Sequence, residues 1–228
     1  MATTSTAIPG HPEAVASAYT FTTYDNKQLW FVVDSFTAHG SYVLQQRAEL
    51  VDGAEAATRL VGSALDLQQP RVDAFVPTDP AQLANLPRDP TGLLAKTLPV
   101  PADKATVNDN LTLGSHGGLL YEVDPVAAAK QYADSGVDVV VHADAWVSQA
   151  RDHAGAVALA PAAAASPDAS KPVAAVPNLP GSACEQYTDG GLISCTAIAG
   201  RYLLQVSSRQ LKDVHQKAAA QYMLLAST

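Results

Sequence analysis

The chain has 228 residues, with 14 Lys and Arg against 22 Asp and Glu, and a formal net charge of −8. That length holds one large or two small domains with cores of ordinary size. No basic cluster interrupts the acidic balance, which argues against a nucleic-acid partner or a charge-bound membrane, since both require concentrated positive charge.

No apolar run approaches the roughly 20 residues that span a bilayer. The alanine-rich stretch from Ala154 to Ala165 is short and carries Pro161. The opening residues "MATTSTAIPG" have neither the basic nor the hydrophobic region of a signal peptide.

In chain order, "IPGHPEA" (Ile8 to Ala14) leads into strands at "AYTFTT", "LWFVVDSF" and "SYVLQQRAE", with a polar turn at "YDNK" between the first two. Asp52 is placed to cap a helix whose Ala57, Leu60, Val61, Ala64 and Leu65 share one face. Six prolines between Val76 and Asp109 mark a connector, with Asp79-Pro80 and Asp89-Pro90 predicting two short helices. Its leucines, among them Leu93, Leu94 and Leu98, predict that it is strapped onto a domain surface.

"LTLGSHGGLLYEV" then reads as a strand bent at Gly117-Gly118. Asp124-Pro125 opens a helix that ends at Gly136, and "VDVVVHADAWVS" reads as one long strand. Asp152 opens an alanine-rich helix that Pro161 is expected to end or kink. Residues 161–182 read as a mobile surface loop. A hairpin, the strand around Tyr202 and a closing helix follow, the helix with Leu211, Val214, Ala218, Gln221, Tyr222 and Leu225 on one stripe.

Two stretches echo one another. "IPGHPEA", strands, "GSYVLQQ" and a helix near the start match "VPNLPGS", strands, "GRYLLQV" and a helix near the end. The second copy has a strand, helix, strand and helix before it; the first has only residues 1–7. This predicts an incomplete first unit (residues 8–76), a Pro-rich connector (77–109) and a complete second unit (110–228), together the carboxy-terminal part of a longer protein. The expected fold is α+β, mainly antiparallel sheet with helices packed on one face, present as one and a half copies. A half-unit leaves a sheet edge and an apolar face to be covered by the second unit, the connector or another chain.

Cys184 and Cys195 flank "EQYTDGGLIS", whose Asp189-Gly190 is a two-residue hairpin signal. With that turn the cysteines face one another across the hairpin, close enough for a disulfide. Counting outward puts them at a hydrogen-bonded pair, where strands are wider apart, so slight distortion or a different loop is required. The bridge would stabilise by about 3 kcal/mol in the chain-entropy model and points to an oxidising compartment. The alternative is two half-buried thiols. A metal site is disfavoured, because no second Cys or His pair has ligand spacing.

On a single strand from Val139, alternation would set His142, Asp144 and Trp146 side by side on the less apolar face. That polar cluster could orient an imidazole for acid/base work, or it could be a structural, solvent-facing pair. "GSHGG" (Gly114 to Gly118) has the look of an oxyanion loop, yet no Gly-x-Ser-x-Gly elbow supplies a nucleophile. Phosphate loops, dinucleotide fingerprints, His-Glu-x-x-His and EF-hand loops are all missing, so no cofactor, metal or catalytic residue is assigned.

At "DPAQLANLPRDPTGLLAKTLP", "SGVDVVVHADAWVSQARDHAGA" and "GRYLLQVSSRQLKDVHQKAAAQYMLLA" the chain resembles an uncharacterised family of actinobacterial, chiefly mycobacterial, exported lipoproteins. The resemblance covers residues 8–226. It implies an extracytoplasmic protein of the cell envelope, whose signal peptide and lipidated cysteine lie upstream, so that membrane attachment comes only through that anchor. It carries no catalytic residues to transfer. The expected function is a non-enzymatic binding or scaffolding domain with an unknown envelope ligand or protein partner. The alternatives are an envelope hydrolase using His142 and Asp144, or a structural dimerisation module.

Overall fold

β1 (Thr4–Ile8), β2 (His11–Thr22), β3 (Leu29–His39) and β4 (Tyr42–Leu50) form an antiparallel meander, and α1 (Ala54–Asp73) lies on one of its faces. The computed structural model describes residues 3–23, 27–163, 170–188 and 190–227. It divides into two compact units, residues 1–84 and 85–228. The expected turn at residues 24–26 lies outside the described residues.

In the first unit, strand alternation sends Ala16, Val33, Leu44 and Ala48 towards Ala57, Val61 and Leu65 of α1. Burying each larger side chain contributes about 1.5–3 kcal/mol. The helix is rotated from the expected face, because Leu60 is half exposed while the small Gly62 sits inside. A Cβ on Gly62 would lie 2.9 Å from the Pro9 carbonyl, so glycine is what lets the helix approach this closely. The helix starts after Gly53 with no side-chain cap, so Asp52 does not serve as one.

The second unit is built on one seven-stranded antiparallel sheet, in the order β5-β6-β7-β11-β10-β9-β8. Its strands are β5 (Leu111–Gly114), β6 (Val139–His142), β7 (Ala145–Gln149), β8 (Ser170–Val173), β9 (Ala183–Tyr187), β10 (Ile193–Ala199) and β11 (Tyr202–Ser208). Its helices are α2 (Ser115–Gly118), α3 (Pro125–Ser135), α4 (His153–Ala163) and α5 (Leu211–Ala226). α5 covers one face over Val147, Cys195, Leu204 and Val206, with Leu93 of the connector in the same core. α3 and α4 cover part of the other face, over Val140 and Leu203.

The duplication is explicit in the topology. The run β1-β2-β3-β4-α1 has the strand order and helix position of β8-β9-β10-β11-α5. In both, a tight turn carries glycine at φ +58°, Gly40 in one and Gly200 in the other, a left-handed conformation that glycine adopts without strain. The second unit adds β5, β6, β7 and their helices ahead of the shared design. β11 is therefore paired with β7, whereas β4 is an edge strand among the described residues.

Several local expectations are corrected. Residues 170–173 form β8 rather than loop, while residues 164–169 lie outside the described residues. α4 runs through Pro161 to Ala163, the last residue described before Ser170. "GSHGG" is not a bent strand: after Gly114 the chain turns helical, and a Cβ on Gly118 would stand 2.8 Å from Val140. Asp124 does cap α3, accepting from the amides of Val126 and Ala127.

Candidate functional site

"VDVVVHADAWVS" is a hairpin and not one strand. The chain reverses at Ala143 and Asp144, so that His142 pairs with Trp146 across β6 and β7. A reversal cancels the alternation on which a His142–Asp144 pair depended. Asp144 instead forms an ion pair with Lys217 of α5, at 3.0 Å. His142 packs between rings, with centroids 4.6 Å from Tyr121 and 4.9 Å from Trp146. Of the expected cluster only His142 and Trp146 come together, and His142 Nδ1 is buried with no hydrogen-bond partner among the described residues.

Next to this aromatic group, α3, the 3-10 turn at residues 119–121 and the strand face line a half-open pocket of about 440 Å³. That is the size of a small-ligand site. Tyr121 and Trp146 meet there at an interplanar angle of 69° with centroids 5.7 Å apart. Tyr132 and Tyr187 complete the aromatic lining, and Glu122, Ser148 and Gln205 supply polar atoms.

Why these side chains converge follows from the elements that carry them. Trp146 is opposite Gln205 in the β7–β11 ladder, and Ser148 is opposite Leu203, so one sheet face presents all four. Asp124 and Pro125 set the start of α3, which places Tyr132 two turns on, with its hydroxyl donating to Glu122 Oε1 at 2.7 Å. Burial, reinforced by that hydrogen bond and by the carboxylate's charge, pushes the Tyr132 phenol well above its ordinary pKa. It stays a neutral donor. Gln205 is itself held by donation to the Ser194 hydroxyl at 3.0 Å.

Cys184 and Cys195 form a disulfide between β9 and β10, facing one another in register. The hairpin is not closed as expected. Tyr187 donates to the Leu192 carbonyl at 2.8 Å, so the loop is longer than two residues; Asp189 of the expected turn lies outside the described residues. Moving the closing pair outward by one shifts the parity of the ladder. The cysteines then fall at a non-hydrogen-bonded pair, which agrees with their Cα separation of 4.1 Å. The ligand atoms of Cys184, Cys195 and His215 lie within 4.8 Å of one another, but both sulfurs are committed to the bridge.

Tyr121, Glu122, Tyr132, Tyr187 and Gln205 were not legible as a site in the sequence. They come from four separate elements or turns, Tyr121 and Glu122 being consecutive in one of them, and nothing in the spacing of the four announces the convergence. The only signal was the tryptophan beside the histidine.

The fold and cavity define an α+β protein with an internal repeat and a ligand-sized pocket in its second unit. Two family models match it. The N-terminal DUF7373 domain, a domain of unknown function, spans residues 2–88, and the C-terminal DUF7373 domain, also of unknown function, spans residues 93–228. The chain belongs to this DUF7373 family. No curated protein and no solved structure matches it.

Proposed function

We propose that the protein is a non-enzymatic binding domain that holds a small ligand in the pocket of its second unit. The observation that carries this reading is the 440 Å³ cavity, in which aromatic rings converge with a carboxylate and side-chain amides. Preformed apolar walls with a few placed polar groups are what a small-molecule site requires. The working compartment is extracytoplasmic, in the cell envelope, where the Cys184–Cys195 bridge supports an oxidising environment. Attachment to the membrane comes through an upstream lipid anchor, as in the lipoproteins the chain resembles; no described helix is long and apolar enough to cross a bilayer.

The test uses the full chain, labelled with ¹⁵N and titrated with small-molecule fractions of cell-envelope extract. The chain has two tryptophans, one per unit, so the Trp30 indole is an internal reference for Trp146. Fractions that shift the Trp146 indole and the Gln205 amide, and leave Trp30 in place, support the reading. Shifts confined to residues outside the pocket, or no shifts at all, refute it.

A second reading, self-association of two copies through the first unit, is favoured by one feature. The β4 edge is unpaired among the described residues, and the face away from α1 exposes Val15, Phe36 and Val43 at 74, 47 and 68%. In the second unit the corresponding edge is paired with β7. An antiparallel β4–β4 pairing would join the two edges. Sedimentation velocity over a hundredfold concentration range should show a dimer that Val43→Lys abolishes; a monomer throughout rules it out.

A further inference from the structure

We infer that the first unit's sheet is a docking surface for one further piece of this protein, a strand followed by a helix of the same design as β7 and α4, carried on the N-terminal side of β1. The second unit shows what covers such a surface. Gly40 and Gly200 occupy the same turn, so Tyr42, Val43, Leu44 and Gln45 of β4 correspond to Tyr202, Leu203, Leu204 and Gln205 of β11. On the neighbouring strand, Phe36 and Ala38 of β3 stand opposite Gln45 and Val43, as Thr196 and Ile198 of β10 stand opposite Gln205 and Leu203.

In the second unit these positions are covered. β7 runs antiparallel along β11, with Ser148 opposite Leu203, Val147 opposite Leu204 and Trp146 opposite Gln205. α4 lies across β10 and β11, and Leu203 shares a core with its Ala156 and Leu159. Leu203 is 7% exposed and Thr196 5%. In the first unit the matching Val43 is 68% exposed and Phe36 47%, Ala38 is exposed beside them, and the outer edge of β4 has no partner strand among the described residues. An apolar patch beside an open strand edge marks an interaction site.

The repeat also sets the chemistry of the occupant and its place in the chain. β7 and α4 precede the run from β8 to α5 in sequence, so their counterpart precedes β1. Its strand is antiparallel to β4 and puts an apolar residue opposite Leu44, as Val147 stands opposite Leu204, because a helix closes that face in both units. Its helix lays small and aliphatic residues over Val43, Ala38 and Phe36, as α4 lays Ala156 and Leu159 over Leu203. A second copy of the chain cannot lend its own β7, which is paired on both sides, with β6 and with β11. Pairing of two β4 edges is open only to molecules in which the piece is missing, so the two uses of this edge exclude each other.

Hydrogen exchange, read by mass spectrometry of peptides, is compared in two samples: the 228-residue chain and the protein purified from the cells that make it. Peptides spanning Tyr42–Leu50 should exchange at least about tenfold more slowly in the protein from cells, with peptides of β2 and of the second unit unchanged. Its intact mass should exceed 23.7 kDa by that of a segment comparable to residues 111–163. Val43→Lys in that protein should return β4 to fast exchange, while the protection of β2 reports that the first unit is folded. Val43→Ala, which removes bulk without adding charge, should move the rate in the same direction by less.

Equal exchange of β4 in the two samples overturns the inference, whatever the mass. Protection of β4 in a protein of 23.7 kDa also overturns it, and assigns the edge to a second copy if sedimentation shows a dimer, or to another chain if one co-purifies. Protection that survives both Val43→Lys and Val43→Ala means that only the strand edge is covered, and overturns the docking of a helix on this face.

Discussion

Gln221 is fully buried on α5 and joins that helix to the connector by both ends of its amide. Its Oε1 accepts from the Leu98 amide at 2.7 Å, and its Nε2 donates to the Lys96 carbonyl at 2.9 Å. These two bonds fix the strap formed by residues 93–98, whose Leu93 is only 3% exposed in the α5 core. Gln221→Met keeps the length and volume of the side chain and removes both bonds. Two lost hydrogen bonds at about 1 kcal/mol each, plus two backbone groups left without partners in a partly buried place, sum to roughly 2–4 kcal/mol. In a unit of this size each kcal/mol lowers the melting temperature by roughly 3 °C, so the expected fall is about 6–12 °C.

The assay is thermal unfolding of the full chain by circular dichroism, with native-state amide exchange read at Leu98. The transition that moves on adding reductant belongs to the second unit, which holds the disulfide. Gln216→Met, on an exposed site of the same helix, is the control and should change nothing. A Gln221→Met protein that melts within 1 °C of the parent, with Leu98 still protected, would show that apolar packing alone holds the strap and that the amide bridge is incidental.

Replacing both cysteines by alanine should lower stability by about 3 kcal/mol, the loop-closure entropy of a bridge between residues this near in sequence; intact mass before and after reduction should differ by two units in the parent only. Gly155→Ala should cost about 2 kcal/mol in a denaturant melt, because its Cβ would lie 2.5 Å from the Ser135 carbonyl and must push α4 off α3; a neutral result would mean the two helices can separate freely. The Tyr132 phenol binds its proton more tightly in the folded chain than in the unfolded one. Its contribution is therefore fully present below the unfolded value near 10 and is lost as pH rises above it. Urea melts between pH 8 and 11 should show the parent losing stability faster than Tyr132→Phe above about pH 10, and parallel curves would show that the phenol is not insulated.

What the sequence determined by itself were the features written in local chemistry. The Gly-x-Tyr-aliphatic-Leu-Gln strands marked the duplication, because a tight turn, a pleated alternation and a following helix are each short-range patterns. Asp124 with Pro125, and Gly136 at φ +64°, bounded α3 for the same reason. The pairing of Cys184 with Cys195 was legible because a hairpin ties distance in space to distance along the chain. Yet even there the parity of the ladder was not, since it hinged on whether Tyr187 and Leu192 close the loop.

Only the tertiary structure decided where side chains from different elements meet. "VDVVVHADAWVS" has the composition of one strand, and nothing local forces a reversal at Ala143 and Asp144; what favours it is long-range, the pairing of β7 with β11 and the pull of Lys217 on Asp144. That reversal separated His142 from Asp144 and turned Trp146 towards Gln205. Likewise Gln221 reads as an interruption in an apolar stripe until the connector is laid across it, more than a hundred residues earlier in the chain. The pocket belongs to this second kind of information. Its residues are set by strand register and helix docking, which depend on the burial of whole faces, so no single segment carries the site.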